Sequence, residues 1–159
     1  MEAGSSRRSD KTLILIKPDA VRKNATGAIL KRFEDEGFRI RELLMLRLSR
    51  EEAEEFYSVH RDKPFFNELV RFITSGSIVA AVLEDTRMGT GMGIDGSGDD
   101  AIARVRRIIG ATNPSKAEEG TIRRMYGSSI TENAIHASDS IESFERETKV
   151  IFGNRRCHG

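Results

Sequence analysis

The amino-acid sequence predicts an α+β fold in which helices pack on one sheet of four strands. Continuous apolar runs at 13–16 and 77–83 are typical of strands that are buried on both faces. Apolar residues at helical spacing fill segments between the strand candidates, so both element types alternate along the chain. The length of 159 residues suits a single domain, spanning 1–159, with one core.

The first half of the chain contains two predicted strands and three predicted helices. Pro18 stops the first strand, Gly37 follows a helix, and Ser49 with Glu52 forms a capping-box pattern that opens another helix. In order, the predicted elements are a strand at 13–16, a helix ending before 37, a strand at 38–48, a helix from 49 to about 57 and a helix that begins at Pro64.

The second half contains two predicted strands and two predicted helices. They are a strand at 77–83, a helix at 100–109, a strand at 133–138, and a helix that opens at Asp139 and runs to about 151. A Gly-rich insertion loop at 86–98 and a second loop at 110–120 separate them. Two βαβ crossovers in this order predict a ferredoxin-like split βαβ sandwich with a four-stranded, mainly antiparallel sheet.

Composition narrows the possible functions. Hydrophobic residues make up 38% and charged residues 32%, with a formal net charge of +1, which argues against a general nucleic-acid-binding surface. No apolar run approaches the roughly 20 residues that span a membrane. Residues 1–10 are predicted to be a flexible polar tail without a secretion signal, and the single cysteine, Cys157, lies in a C-terminal tail at 153–159. These features predict a cytoplasmic protein.

A glycine motif, "GMGIDG" at 91–96, has the literal spacing of a dinucleotide-binding turn. That turn requires its first glycine at the end of a strand and its third inside a helix. Here seven residues precede the motif after the third predicted strand, and Asp99 and Asp100 follow it, where they would repel a diphosphate. A surface loop is therefore favoured over a cofactor site.

His136 is the candidate catalytic residue, although a lone histidine after an isoleucine is more often a packed or surface residue. Glu147 supports a catalytic interpretation, because it falls on the inward stripe of the last helix with Phe144 and Ile151. A carboxylate facing a core requires a partner, and a histidine on the adjacent strand end would serve. Such a pair fixes the tautomer and leaves the other ring nitrogen free as a nucleophile. The alternative is that Glu147 reaches solvent.

Several cationic and amide side chains could converge on a polyphosphate. Lys17 follows a buried strand, Arg106 lies on a helix, and Arg123 follows the second loop, with Thr112 and Asn133 as neutral donors. A lysine at the rim of a sheet is more often a solvated one. The neighbouring arginines are expected to be mostly solvated; these are Arg104, Arg107 and Arg124.

Four motifs resemble those of nucleoside diphosphate kinases, in the same order and at compatible separations. They are "LILIKPDAV", "KPFFNELVRFITSG", "ATNP…GTIR" and "NAIHASDSIES". The resemblance covers about 11–152 and implies a ferredoxin-like fold. It also implies ping-pong transfer of the γ-phosphate from a nucleoside triphosphate, usually ATP, to a nucleoside diphosphate. In this resemblance His136 matches the phosphorylated histidine, Ser138 and Glu147 match the residues that orient it, and Tyr57 matches a tyrosine near the γ-phosphate.

The resemblance also implies how the nucleotide binds. Mg²⁺ is carried mainly on the nucleotide phosphates, no protein residue is implied as a metal ligand, and the family forms hexamers or tetramers, so a homo-oligomer is expected. Phe65 matches the aromatic residue on which the base stacks, and Ile130 the apolar residue on its other face. Five residues match the family's phosphate and ribose contacts: Lys17, Arg106, Thr112, Arg123 and Asn133. The resemblance also implies a catalytic role for Lys17.

The chain departs from the family pattern at several positions, among them Arg124-Met125, where the family often has Gly-Asp. Thr131-Glu132 replaces a common Gly-Arg pair and is expected to affect assembly more than chemistry. Ala137 replaces a frequent glycine, and the insertion at 86–98 is a disordered loop, a lid or an oligomer contact. His60, at a helix end near the base site, and His158, in the C-terminal tail, are expected to be bystanders.

Three functions therefore compete. The first is an active nucleoside diphosphate kinase. The second is a member of the same fold that binds nucleotides or partners without turnover. The third is a dinucleotide-dependent enzyme that uses the motif at 91–96.

Overall fold

A computed structural model of the protein describes residues 7–87, 98–153 and 155. The sheet has four strands, which are β1 (Lys11–Ile16), β2 (Phe38–Leu46), β3 (Ile78–Asp85) and β4 (Ile135–Ala137). The helices of the described residues are α1 (Pro18–Arg22), α2 (Thr26–Asp35), α3 (Arg50–Phe56), α4 (Phe66–Ile73), α5 (Ala101–Ile109), α6 (Ile122–Tyr126) and α7 (Ile141–Phe152). Short 3₁₀ turns lie at Ser58–His60 and Pro114–Lys116.

The strands are ordered β2-β3-β1-β4, and all three pairings are antiparallel. This is the split βαβ sandwich that the order of elements predicts, and the predicted fold class is confirmed. The register places His136 on β4 opposite Leu15 on β1. Lys17 follows the last residue of β1, and its backbone N–H donates to the carbonyl of Ala134 at 2.8 Å. The central strand thus brings Lys17 and His136 to the same edge of the sheet.

The core consists of two layers, one on each face of the sheet. Ile14 and Ile16 of β1 pack in one cluster with residues of α2 and α5, while Leu13 and Leu15 pack in the other with residues of α3, α4 and α7. Because successive strand residues point to opposite faces, a strand covered on both sides is apolar throughout. This explains the continuous run at 13–16.

Several boundaries differ from the prediction. The predicted first helix is two helices, since Asn24 adopts a left-handed backbone with φ of 58° between α1 and α2. Helix α4 begins at Phe66 rather than Pro64, and Ser140 rather than Asp139 caps α7 by accepting from the N–H of Ser143. Helix α6 was not predicted. The capping box of Ser49 with Glu52 is confirmed.

Arg104 is buried, so the expectation that it is solvated is wrong. Its guanidinium contacts the Asp85 carboxylate at 2.7 Å, donates to the carbonyl of Glu36 at 2.8 Å and lies 4.7 Å from the ring centroid of Phe38. A buried arginine is stable when its charge and donors are paired in this way. The contact anchors α5, the helix that carries Arg106, to the sheet.

The predicted N-terminal tail is partly ordered. Ser9 exchanges hydrogen bonds with the start of α5, and the carbonyl of Asp10 accepts from the N–H of Asp85 at 2.7 Å. Most of the insertion, including the glycine motif at 91–96, and most of the C-terminal tail lie outside the described residues. Within the described ranges, no helix is both long and apolar enough to cross a membrane.

Candidate active site

His136 lies at the edge strand β4, half-buried, with its Nε2 atom 2.9 Å from Oε1 of Glu147. Glu147 belongs to α7 and is only 4% exposed, as its place on the inward stripe of that helix indicates. Ser138, also buried, donates its hydroxyl to the same Oε1 atom at 2.7 Å. With Nε2–H donating to the carboxylate, the lone pair of the ring lies on Nδ1.

Two aromatic rings hold the imidazole in place. Phe56 and Tyr57 meet the His136 ring edge-to-face, with centroids 5.0 Å and 6.5 Å away. Burial, together with the charge of Glu147, raises the pKa of the Tyr57 phenol above its ordinary value. Tyr57 is therefore a neutral hydrogen-bond donor at physiological pH and adds no charge to the site.

Lys17 is buried beside this histidine. Its Nζ donates to Oδ1 of Asn133 at 2.9 Å and to the carbonyl of Thr131 at 3.4 Å. Burial and, to a smaller extent, the charge of Arg123 lower the pKa of Lys17 from its ordinary value to about 8. An anionic ligand would relieve the unfavourable environment of this ammonium group.

Arg123 is fixed by carbonyl groups rather than by carboxylates. Its Nη2 donates to the carbonyl of Ile135 at 2.9 Å and its Nη1 to that of Gly110 at 3.0 Å. Burial and the nearby charge of Arg106 lower the pKa of Arg123 to about 10. Arg106 is more exposed and reaches the carbonyl of Ala137 at 3.4 Å. Arg123 is thus oriented by neutral partners and keeps its charge available for a ligand, while Arg106 also lies close enough to the Asp139 carboxyl to lower its pKa.

Asn133 connects the neighbouring segments. Its side-chain amide donates to the carbonyl of Thr112 at 3.0 Å while its oxygen accepts from Lys17. The next residue, Ala134, has a left-handed backbone with φ of 76°, and its N–H donates to Asp19 at 3.0 Å. This turn directs Asn133 to Lys17 and the following residues into β4.

A cavity of about 370 Å³ joins these groups. Of the residues predicted for the site, Ser138 is buried behind it and the others line it. These are Lys17, Tyr57, Phe65, Arg106, Thr112, Arg123, Ile130, Asn133, His136 and Glu147. Phe65 is 44% exposed and Ile130 is 60% exposed, so these two apolar side chains form the outer end of the cavity, away from the buried cations.

Five other lining residues are not predicted from the sequence. Phe56, Val59 and Leu69 extend the apolar wall, while Asp139 and Arg146 add charges near the histidine. A hydrogen bond with Ser143 lowers the pKa of Asp139, with a further contribution from Arg106. The Ser-Asp-Ser run after His136 is the sequence feature that could have indicated Asp139. The apolar lining residues have no sequence feature that distinguishes them from residues of the core.

Two further residues that are not predicted for the site lie at the outer end of the cavity. His60, expected to be a bystander, lines the cavity with its ring centroid 5.5 Å from that of Phe65. Thr131, expected to bear on assembly, also lines the cavity, and its hydroxyl donates to Glu68 of α4 at 2.9 Å. This hydrogen bond joins the segment that carries Ile130 to the helix that follows Phe65.

Acidic and histidine side chains do not gather into a metal site within the described ranges, where no group of three or more His, Cys, Asp or Glu could hold an ion. Of the two carboxylates in the cavity, Glu147 already has His136 and Ser138 as partners.

Fold and cavity together describe an α+β protein suited to hold an anionic ligand beside a histidine. The sequence profile of the family described as nucleoside diphosphate kinase matches residues 10–157. A nucleoside diphosphate kinase of Staphylothermus marinus is 52% identical over 91% of this chain and 93% of its own length. One of Persephonella marina is 46% identical over 90% of this chain and 93% of its own length.

Solved structures agree with these sequence comparisons. The nucleoside diphosphate kinase of Aquifex aeolicus is 49% identical, has a TM-score of 0.79, and is matched over 90% of this chain and 94% of its own. That of Encephalitozoon cuniculi is 35% identical, has a TM-score of 0.78, and is matched over 94% of both chains. The chain belongs to the nucleoside diphosphate kinase family, and its members are phosphotransferases.

Proposed function

We propose that the protein transfers the γ-phosphate of a nucleoside triphosphate to a nucleoside diphosphate through a phosphorylated His136. The observation that carries this proposal is the pairing of His136 Nε2 with the buried Glu147 carboxylate at 2.9 Å. This pairing leaves Nδ1 as the nucleophilic nitrogen in a cavity that Lys17, Arg106 and Arg123 also line.

The cations would position the phosphate groups. Phosphoryl transfer requires alignment of the attacking and leaving atoms and stabilisation of charge on the phosphate oxygens, with little covalent help from the protein. Lys17 and Arg123 are buried and held by neutral partners, so they would contribute charge without rearranging. Arg106 lies at the exposed side of the same cavity, where it can follow an incoming nucleotide.

In the first half-reaction, Nδ1 of His136 forms a bond to the γ-phosphorus while the bond from that phosphorus to its bridging oxygen breaks. The nucleoside diphosphate leaves with the bridging oxygen, and the ring gains positive charge. Glu147 stabilises this charge through its contact with Nε2–H, which keeps its proton. In the second half-reaction, a terminal oxygen of another nucleoside diphosphate attacks the same phosphorus, and His136 returns to its neutral form.

The outer end of the cavity would hold the nucleoside. Phe65 offers a ring face and Ile130 an apolar side chain, and stacking between them suits any base. Asn133 and Thr112 would contribute to ribose and phosphate binding. Mg²⁺ would enter on the nucleotide phosphates and neutralise part of their charge. The homo-oligomer, hexameric or tetrameric, and the cytoplasmic location stay predictions from the sequence.

Intact-mass measurement tests the proposal. The purified protein is mixed with Mg·ATP without acceptor and then with a nucleoside diphosphate. We expect one added phosphoryl group that disappears with the acceptor and is absent in His136→Gln, in which the ring is lost. Nucleotide binding without a phosphoenzyme would favour a binding protein without turnover, and binding of a nicotinamide dinucleotide would favour the third function.

A further inference from the structure

A buried carboxylate lies behind the cations of the cavity. Asp19 is the second residue of α1, two positions after Lys17, and is only 3% exposed. It does not line the cavity, so it does not touch a ligand that binds there. Its Oδ2 accepts from the backbone N–H of Ala134 at 3.0 Å, and its Oδ1 is buried without a hydrogen-bond partner in the part of the chain that the structure describes. A buried carboxylate with one hydrogen bond is costly unless opposite charge lies near it.

The hydrogen bond to Asp19 holds a strained turn. Ala134 is fully buried and has φ of 76°, a conformation that an alanine rarely adopts. The N–H of Ile135 donates to the carbonyl of Asn133 at 2.9 Å, which closes a three-residue γ-turn around Ala134. Asp19 fixes the peptide group between Asn133 and Ala134, and the side-chain oxygen of Asn133 accepts from Nζ of Lys17 at 2.9 Å. The Asn133 side chain is therefore positioned from α1.

The charge of Asp19 also acts on Lys17. Burial and then the charge of Arg123 on α6 lower the pKa of Lys17, whereas the charge of Asp19 raises it. His136 on β4 and Arg106 on α5 line the same cavity. Without Asp19, burial and the neighbouring cations would convert Lys17 to the neutral amine at a lower pH.

Asp19 exerts this effect without occupying the ammonium group. Nζ of Lys17 donates to two neutral oxygens, the side-chain oxygen of Asn133 at 2.9 Å and the carbonyl of Thr131 at 3.4 Å. An ammonium group has three N–H donors, so one is left for a phosphate oxygen. A carboxylate in direct contact would compete with the phosphate for that donor, whereas Asp19 acts from outside the cavity.

We propose that Asp19 is a positioning residue with two separable roles: its Oδ2 atom holds the turn that places Asn133, and its negative charge keeps Lys17 ionised before a nucleotide arrives. The inference rests on the proposed function, because it takes Lys17 to bind phosphate. It adds a residue that affects the reaction from behind the cavity.

Asp19→Asn separates the charge from the hydrogen bond, since the amide oxygen can still accept from Ala134. Loss of an opposite charge at close range should lower the midpoint of Lys17 by about one pH unit. The charged fraction then falls from roughly half to about a tenth at pH 8 and hardly changes at pH 6. We expect kcat/KM for the nucleoside triphosphate to be about fivefold below that of the unaltered protein at pH 8 and nearly equal to it at pH 6. Asp35→Asn is the matched control, because it removes the same charge from the exposed end of α2, and it should change neither value.

Asp19→Ala tests the turn. It removes the acceptor as well as the charge, so kcat/KM should fall at pH 6 too, by about tenfold, toward the lower end of what a hydrogen bond to a charged group contributes. Glycine adopts a left-handed backbone without strain. Adding Ala134→Gly to Asp19→Ala should therefore recover most of the loss at pH 6, measured against Ala134→Gly alone, but not the additional loss at pH 8.

A purely structural role would lower kcat/KM of Asp19→Asn by the same factor at both pH values. That result, or no loss at either pH, would overturn the role of the charge, and an equal loss at pH 6 for Asp19→Ala with and without Ala134→Gly would overturn the role in the turn. If Asp19→Asn does not fold, judged by circular dichroism, Asp19→Glu keeps the charge and moves the oxygen. An unchanged midpoint pH in that variant supports the inference, and a lowered one overturns it. Failure of the unaltered protein to form a phosphoenzyme would overturn the proposed function instead.

Discussion

Lys17 gives a prediction in which activity and stability change in opposite directions with pH. Burial beside Arg123 lowers the pKa of its ammonium group from an ordinary 10.5 to about 8. The value of kcat/KM reports groups of the free enzyme, and only the charged form of Lys17 attracts phosphate oxygens. The protein should therefore lose kcat/KM as the pH rises through 8, while the nucleotide phosphates keep their charge.

The size of the effect follows from the fraction of Lys17 that is charged. A pKa of about 8 leaves roughly half of the side chains protonated at pH 8, about a tenth at pH 9 and about a hundredth at pH 10. We therefore expect kcat/KM to fall about tenfold per pH unit above 8. The value of kcat should fall less steeply, because a bound phosphate favours the charged lysine.

Steady-state assays between pH 6.5 and 9.5 at constant ionic strength measure this fall. Lys17→Arg is the matched control, since a guanidinium stays protonated over this range. That variant is expected to be slower, because a forked guanidinium group does not reproduce the contact of the Lys17 Nζ with Asn133. Its kcat/KM should nevertheless stay level above pH 8. The assignment to Lys17 would be refuted if kcat/KM of Lys17→Arg fell with the same midpoint pH as that of the unaltered protein. It would also be refuted if kcat/KM of the unaltered protein did not change over this pH range.

Stability should respond with the other sign. Between pH 8 and 10.5 the unfolded chain binds more protons at Lys17 than the folded chain, so raising the pH favours the folded state. The free energy of unfolding should rise by up to about 1.4 kcal/mol per pH unit relative to Lys17→Met, which has no titrating group. Urea denaturation at pH 8 and pH 9.5 measures this difference.

Three further predictions concern other parts of the molecule. Glu147→Gln keeps a partner for His136 but removes the charge that stabilises the imidazolium, and should slow phosphoenzyme formation about a hundredfold, measured by rapid-quench mass spectrometry. Thr131→Val removes the hydrogen bond to Glu68 and should raise KM for nucleotides about two- to fivefold with kcat nearly constant, since it affects the outer end of the cavity. Asp85→Ala leaves Arg104 buried without its counter-charge and should lower the free energy of unfolding by about 3 to 5 kcal/mol in urea titrations, an expectation that a loss below 1 kcal/mol would contradict.

Hydropathy patterns predicted the architecture because burial leaves a periodic trace in the chain. The run at 13–16 indicated a strand covered on both faces, and the strand occupies Lys11–Ile16 with helices on both sides. The break between α1 and α2 left no such trace, because Asn24 reaches a left-handed conformation without a glycine or proline. Helix α6, with five residues, is too short to show a period.

Position on the inward stripe of a helix predicts the burial of two charged residues, of which only one is named among the predictions. Glu147 was selected because it lies on the inward stripe of α7. Arg104 satisfies that criterion as well, three residues after Ala101 and four before Ile108, so its burial is consistent with the period of the helix. The sequence places His60 near the base site but does not show that it lines the cavity, and it gives no position for the Thr131 side chain, because side-chain directions in turns depend on tertiary contacts rather than on a helical or strand period.

The shared oxygen of Glu147 has a consequence for the regiochemistry of the proposed intermediate. Ser138 and the Nε2–H of His136 both point at Oε1, so one nitrogen of the ring is occupied before a nucleotide arrives. The covalent product should therefore be the single isomer that carries phosphorus on Nδ1, and not a mixture of the two isomers. Phosphorus–nitrogen coupling observed by NMR on protein with labelled histidine would distinguish them, and Ser138→Ala, with the contact between Nε2 and Oε1 intact, should give the same isomer.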